Sequence, residues 1–582
     1  MRSARAALAS RLAAGVALLI VAGALPWLSQ RDPAASILRA RYAELEPTPD
    51  ALASIRTELG LDGGPIATSV RWWSGVLSGD LGASWVSGAP VAPGAWAAFG
   101  VSLTLAGFAI GVAAVIAVGL VAPACVRVWR DRPIRGAGPV GVALTAMPEF
   151  LLASGLLIVL AVQLRLFPPF GWQGLEHVLL PALALGIPGG GLMGRLVVDA
   201  IAGAGNERWA VIWRAGGAPR GVVLRGVLRR AGAAVVDQVA LVLIGVLGGA
   251  VAVEQVFAIP GLGRYLLGAA NAQDLPALQA GVLLIAAAAI AAGAVAGGAR
   301  LLLWGGPLPE GAIAPPPEHR PTDRATRATL ITAAGLLLVI VAAGIVRDPY
   351  ASAHPRLAPP SWALPFGADA SGRDLLARVA HGVTGTLGPA LLIVVASIVL
   401  GLVVAFGGAG SAGPVEVANA TPPILAGVIV AALAGPTAGG AALAVLWVSW
   451  PPLAAHARSL LAEARAMPYV RWLPVVGTPR LVTTFRHIVP TVLPPLVRHA
   501  VLRLPGIALA LASLGFLGLG AQPPTPEWGL LLAEGIDYVE RAPWTTVAPG
   551  SALILVSIIA VASAGAGLGS RRRRTAPARP AG

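Results

Sequence analysis

The chain runs to 582 residues, of which 56% are hydrophobic and only 12% charged, with a mean hydropathy of +0.77. Soluble domains carry roughly a quarter of their residues as charges, so an ordinary soluble protein is excluded. Charge-free stretches such as 99–121 and 277–296 match the roughly 20 residues that one bilayer crossing needs. The net charge of +15 sits largely in short segments between apolar runs, which suits a membrane protein better than a nucleic-acid binder.

The first segment, 1–30, places Arg2, Arg5 and Arg11 ahead of an apolar stretch ending near Leu28. That pattern fits a cleaved signal peptide or a retained first span. Ala22-Gly23-Ala24 has the small-residue form of a cleavage site, yet the apolar run continues past it, and the span count favours keeping the helix over 12–29. Further spans are expected near 96–123, 138–163, 177–203, 231–256 and 276–304. A second set follows near 328–347, 384–408, 419–435, 438–457, 496–518 and 544–568. The fold expected is all-α and polytopic, with about twelve transmembrane helices in two halves of about six. Gly and Pro inside these runs are tolerated because neighbouring helices satisfy the freed backbone groups.

Between the two sets, 305–327 contains Pro315-Pro316-Pro317 and scattered charges, the composition of a semi-extended linker. The expected organisation is a first half over 1–304, a cytoplasmic Pro-rich linker over 305–327 and a second half over 328–582. Internal duplication of this kind is common in transporters. With the N-terminus inside, the basic segments 127–135, 208–230 and 571–574 all fall on the cytoplasmic side, as the positive-inside rule requires. Both termini are then cytoplasmic.

Every basic residue counted as Lys or Arg is an Arg. A phosphate-binding loop of the form G-x-x-x-x-G-K-[ST] needs a Lys, so any driving ATP must bind another chain, or an ion gradient must do the work. Cys125, the only cysteine, cannot form an intrachain disulfide and reads as a small packing residue. The seven His form no H-E-x-x-H pattern and no G-x-S-x-G elbow is present. No catalytic residue and no metal site is expected.

Several stretches of the first half resemble the membrane subunit of the dipeptide/oligopeptide/nickel family of ABC importers. They are Trp72-Trp73-Ser74-Gly75-Val76-Leu77-Ser78-Gly79-Asp80-Leu81-Gly82, His177-Val178-Leu179-Leu180-Pro181-Ala182 and Val253-Glu254-Gln255-Val256-Phe257-Ala258-Ile259-Pro260-Gly261-Leu262-Gly263. The second half resembles the partner subunit through Pro365-Phe366-Gly367-Ala368-Asp369-Ala370-Ser371-Gly372-Arg373-Asp374 and through Ala512 to Gly529, which ends Pro526-Glu527-Trp528-Gly529. The resemblance covers nearly the whole chain and implies a fusion of two subunits that are normally separate.

By resemblance, each half presents a cytoplasmic loop with a short helix that docks on an ATPase subunit. A glycine after that helix lets the chain turn sharply. The first loop spans 207–230, with Arg214, Gly216 and Arg220 as coupling candidates; the second spans 469–494, with Arg471, Gly477, His487, Pro490 and Pro494. Taken alone, Gly477 is also an ordinary helix-ending glycine, and Pro490 and Pro494 could simply open the next span. It is their order between expected spans that supports coupling. Both loops depart from the family's Glu-Ala-Ala: Val211-Ile212-Trp213 stands there in the first and Arg471-Trp472-Leu473 in the second. Gly226 stands where a His is common and Ala234 where a Pro is usual.

Charge inside a bilayer is costly and tends to mark a pathway. Glu149, after Met147-Pro148, and Asp237 are the pathway candidates, with pairing to an Arg such as Arg195 as the alternative. Glu254 reads as ordering its adjoining loop. The external tryptophans Trp72, Trp73, Trp85, Trp96, Trp528 and Trp544 read first as interfacial anchors.

The function implied is a translocation subunit in the bacterial cytoplasmic (inner) membrane, for short peptides or, less favoured, nickel or another small solute. Its partners would be cytoplasmic ABC ATPase subunits holding ATP-Mg and an extracytoplasmic solute-binding protein, with the lipid bilayer around it and no nucleic acid. No cofactor would bind the chain directly. The rivals are an ion-gradient-driven secondary transporter, a polytopic membrane enzyme, and a degenerate permease with a structural role.

Overall fold

A computed structural model describes residues 33–41, 48–132, 138–304, 324–407 and 423–566, with the isolated positions 46, 414, 415 and 418. Among them the chain is helical, with only two isolated β-bridges, Ala83 to Pro90 and Ala368 to Asp374. The expected span over 12–29 and the basic tail 571–574 lie outside the described residues. So does most of the linker, whose last residues, 324–327, already form the first turn of a helix.

Among the described residues three short helices come first: α1 (Pro33–Arg41), α2 (Pro49–Glu58) and α3 (Gly64–Ser78). Helix α2 begins as its sequence dictates, with the Thr48 hydroxyl accepting from the Ala51 amide and Pro49 following it, a proline where no N–H is missed. The long helix α4 (Val91–Trp129) follows, then α5 (Gly138–Ala146) and α6 (Glu149–Gln163). The expected span 138–163 is thus broken at Met147-Pro148, because the extended backbone of Pro148 (ψ 142°) cannot continue the preceding helix. Next come α7 (Leu175–Gly205), the short α8 (Arg208–Ala215), α9 (Arg220–Val256), α10 (Leu262–Asn271) and α11 (Leu275–Trp304).

The second half repeats the order. Helix α12 (Arg324–Gly344) leads to α13 (Leu375–Phe406), α14 (Pro423–Ala434), α15 (Ala438–Ala466) and the short α16 (Pro468–Trp472). Helices α17 (Arg480–Val501) and α18 (Leu504–Phe516) are bent by 44° against each other, and α19 (Trp528–Ile536) and α20 (Trp544–Ala566) complete the bundle. Among the described residues, six helices are long and apolar enough to cross a membrane, and the bent pair makes a seventh. The other four described spans expected from sequence coincide with helices whose apolar stretches are shorter: Glu149–Gln163, Gly245–Val256, Pro423–Ala434 and Trp544–Ala560.

Small residues bring the helices together. A Cβ on Gly186 would lie 2.7 Å from the Ala109 carbonyl oxygen, and one on Gly190 2.7 Å from that of Ala113. Gly194 lies one turn further on, against Leu120 and Ala117. This i, i+4, i+8 stripe lets α7 cross α4 at backbone distance, the packing that membrane helices use when no hydrophobic drive separates protein from lipid. Large side chains point outward instead. Val115, Leu338 and Leu392 are 74%, 68% and 72% exposed, a surface suited to lipid.

The halves meet along several helices. Helix α5 packs on α20, while α14 packs on α9, α10 and α11. Phe150 faces Phe516 with ring centroids 5.5 Å apart, and Gln273 Nε2 donates to the Ala432 carbonyl at 3.1 Å.

Candidate functional site

Helices α7 and α15 each run into a short amphipathic helix, and each short helix ends in the same way. In the first half the Ala218 amide donates to the Trp213 carbonyl at 2.9 Å and that of Gly217 to Arg214 at 3.1 Å. In the second half the Thr478 amide donates to Leu473 at 3.0 Å and that of Gly477 to Pro474 at 3.1 Å. These paired bonds, spanning five and three residues, form a Schellman turn with a left-handed residue inside. That residue is Gly217 (φ +73°) in one half and Gly477 (φ +77°) in the other. Pro219 and Pro479 follow at the same spacing and open α9 and α17. The register drawn from sequence therefore shifts by one. Gly216, with φ −80°, closes α8 but does not turn the chain, and Gly217 is the counterpart of Gly477.

The next departure from the family pattern also has a physical reason. A Cβ on Gly226 would lie 3.1 Å from the Trp209 ring and 3.4 Å from that of Trp213. The two indoles pack edge to face at 5.1 Å over Gly226, where a side chain would require the rings to shift by a few tenths of an ångström. In the second half Tyr469 stands in Trp209's place, 6.3 Å from the ring of His487. His487 is one residue further along its helix than Gly226, because Thr483–Ile488 is wound with i→i+5 bonds, which absorb one extra residue.

The first elbow is held by charge. Glu207 accepts from Arg230 Nε at 2.9 Å and from Trp209 Nε1 at 2.7 Å. Arg214 donates to the Gly205 carbonyl at 2.9 Å and pairs with Asp131 at 3.5 Å, while Arg220 reaches the same carboxylate at 3.9 Å. Asp131, which the sequence reading passed over, thereby ties the end of α4 to the elbow. In the second half Arg471 is exposed on α16, and Pro490 and Pro494 are exposed on α17. Both elbows show apolar side chains to the outside: Val211, Ile212 and Trp213 in one, Trp472, Val475 and Val476 in the other.

The elbows lie at one end of the bundle. At the opposite end Asp274 accepts from the Ser84 hydroxyl and, at 3.0 Å, from the Trp85 amide. The Gln273–Ala432 bond joins that same end of the first half to the chain just ahead of α15, so α15 starts there and delivers the second elbow to the side of the first.

Each half also contains a buried carboxylate at this far end, supplied from different positions. Glu254, at the end of α9, accepts from Ser102 Oγ on α4 and from the Arg264 amide at 3.1 Å. Glu527, ahead of α19, accepts from Thr386 Oγ1 on α13 at 3.1 Å and from the amides of Gly529 and Leu530 at 2.9 and 2.8 Å. Each hydroxyl in turn accepts from an amide opening the short helix, Leu262 in one half (2.7 Å) and Trp528 in the other (3.2 Å). A Cβ on Gly261 would collide with the Glu254 carboxylate, and one on Gly515 with that of Glu527. One niche is thus filled from either of its two walls, with glycine always on the empty one. Helix N-termini welcome a carboxylate because their first amides lack partners. Burial pushes the Glu527 carboxyl up to about 7, against the pull of its three donors.

A denser cluster holds the segment that opens α13 at the end remote from the elbows. Arg378, fully buried, bonds Asp369 at 2.6 Å and Glu534 at 2.7 Å, and Asp369 also accepts from Arg373 at 2.7 Å. Of the two pathway candidates, Glu149 opens α6 with its carboxyl against Gly249 of α9 and its neighbour Phe150 on the interface between halves. Asp237 lies within α9, and its side chain is outside what the structure describes.

The family described as "Binding-protein-dependent transport system inner membrane component" matches residues 116–303 and again 393–571, so each match contains one elbow. The di/tripeptide transport system permease protein DppC of Pseudomonas aeruginosa is 37% identical over 220 residues, 35% of this chain and 72% of its own length. The dipeptide transport system permease protein DppC of Alkalihalophilus pseudofirmus is 31% identical over 237 residues, 39% of this chain and 78% of its own. The peptide transport system permease protein SapC of Escherichia coli is 33% identical over 220 residues, 35% and 74% respectively. About a third of this chain thus accounts for most of a relative, while the family pattern occurs twice. The chain belongs to the binding-protein-dependent transport system inner membrane components, as a fusion of two ABC-importer permease halves.

Proposed function

We propose that this chain is the translocation subunit of an ATP-driven importer of short peptides, with both halves of the passage in one polypeptide. The observation that carries this reading is the pair of elbows, α8 and α16, closed by the same Schellman turn and showing apolar side chains at one end of the bundle. ATP-Mg is held by cytoplasmic ATPase subunits. Their closure presses on the elbows, and rigid-body rotation of the halves opens the passage outward. The basic residues Arg127, Arg130, Arg132, Arg208, Arg214 and Arg220 all accompany the elbow end, which supports a cytoplasmic position for it and for both termini. The opposite end receives a solute-binding protein that delivers the peptide. Similarity to relatives named for di/tripeptide and peptide transport supports the cargo class.

Uptake into membrane vesicles tests this. Labelled di- or tripeptide should accumulate when ATP is present on the elbow side and no ion gradient exists. Uptake that follows a proton or sodium gradient and ignores ATP would refute the reading in favour of a secondary transporter.

A further inference from the structure

The end of α4 carries an open groove outside the elbows and the buried carboxylate niches. Gly119, Ala122, Pro123, Val126, Arg127 and Arg130 line one groove of about 470 Å³ together with Arg132. Their spacing of three and four residues places them on a single stripe of the helix. The apolar part, Gly119 to Val126, covers roughly 10 Å at 1.5 Å per residue, and the guanidinium groups follow directly at its end. A Cβ on Gly119 would meet nothing within 4 Å, and Val126 is 47% exposed, so the stripe is open along its length.

The convergence of the three arginines is built into the backbone. The Arg132 amide donates to the Arg127 carbonyl at 2.9 Å and that of Asp131 to Val128 at 3.3 Å, and Asp131 is left-handed at φ +50°. This is a Schellman turn made without glycine, and it folds Arg132 back beside Arg127. The nearby counter-charge is turned away, since the Asp131 carboxylate is engaged by Arg214 and Arg220 of the elbow. Among the described residues, Arg127, Arg130 and Arg132 form no ion pair.

We propose that this groove seats an anionic phospholipid of the cytoplasmic leaflet. Its phosphate would lie among Arg127, Arg130 and Arg132, and an acyl chain would lie along Gly119 to Val126. Charge complementarity selects the occupant: three cations at headgroup depth directly above an apolar track fit a lipid phosphate and leave a free anion's tail space empty. Because Asp131 links this turn to α8 and α9, the lipid sits on the brace of the first elbow. The inference rests on the sidedness adopted above for that elbow.

Native mass spectrometry of the full chain in detergent tests it, with phosphatidylglycerol, phosphatidylcholine and inorganic phosphate as probes. One phosphatidylglycerol should be retained in preference to phosphatidylcholine. The triple variant R127Q/R130Q/R132Q should bind it roughly a hundredfold more weakly, and R130Q alone, at an exposed position, up to about tenfold. R356Q, at the opposite end, should bind as the parent does. Equal retention of phosphatidylcholine, displacement of the lipid by inorganic phosphate, or undiminished binding by the variants would overturn the proposal. The measurement involves no ATPase, so its outcome is independent of the vesicle uptake that tests the proposed function: failure of either leaves the other standing.

Discussion

Gly217 and Gly477 share one backbone conformation, φ +73° and +77°, each two residues ahead of a proline that opens the following helix. No atom lies within 4 Å of where a Cβ would stand on either residue, so substitution there strains the backbone without creating a clash. A side chain in the left-handed region costs about 1–2 kcal/mol. G217A and G477A should each loosen an elbow by that amount and lower peptide-dependent ATP hydrolysis by the reconstituted complex several-fold. G216A, at φ −80°, should be close to neutral in the same assay.

Sidedness is open to chemistry because Cys125 is the only cysteine. In a C125S background, V211C and V476C, at positions 51% and 72% exposed, should react with a membrane-impermeant maleimide only in inside-out vesicles. S352C, exposed in the segment ahead of α13, should react only in right-side-out vesicles. Labelling of either elbow from outside would invert the topology.

Arg378 is fully buried between Asp369 and Glu534. Removing one partner of a buried ion pair leaves an uncompensated charge and costs about 3–5 kcal/mol. R378M should therefore lower the thermal unfolding midpoint in detergent sharply, and the double variant with D369N should recover part of the loss. A midpoint unchanged in R378M would show that the cluster does not hold the start of α13.

Glu527 makes stability depend on pH with a definite sign. Its carboxyl is raised from 4.5 to about 7, first by burial, so the folded protein holds a proton that the unfolded chain releases. The resulting stabilisation is complete below about pH 4.5 and is lost as pH rises through 7, up to about 3 kcal/mol in all. E527Q should flatten this part of the profile, narrowing the difference in unfolding midpoint between pH 6 and pH 8. A parent whose stability rises over that interval would contradict the assignment.

Much of the fold was legible because apolar runs of bilayer length are a strong signal, and helices stand at each expected span that falls among the described residues. The interruption at Pro148 and the 44° bend between α17 and α18 were not, since Pro is abundant in runs that remain one helix, as at Pro181 and Pro188 in α7. The elbows were legible from order and spacing, yet the turning residue of the first was misplaced by one. Gly216 and Gly217 are adjacent, and in the structure their φ angles and hydrogen bonds distinguish them. Counting back from Pro219, as from Pro479 to Gly477, was the signal that could have found it. Gly226 looked like a defect in sequence, and it is the space that Trp209 and Trp213 occupy. The exchange of Glu254 and Gly261 for Gly515 and Glu527 could not be read at all, because the two carboxylates occupy different places in their motifs and meet the same partners only in three dimensions.

What the elbows grip decides whether a partner ATPase drives this chain. The full chain, extracted in mild detergent from membranes of cells that express its neighbours, should bring down a P-loop ATPase, and that association should weaken when Gly217 and Gly477 are both replaced by valine. A chain that carries labelled peptide across reconstituted vesicles with no nucleotide-hydrolysing partner attached, or an ATPase that stays bound equally well to the double variant, would contradict it.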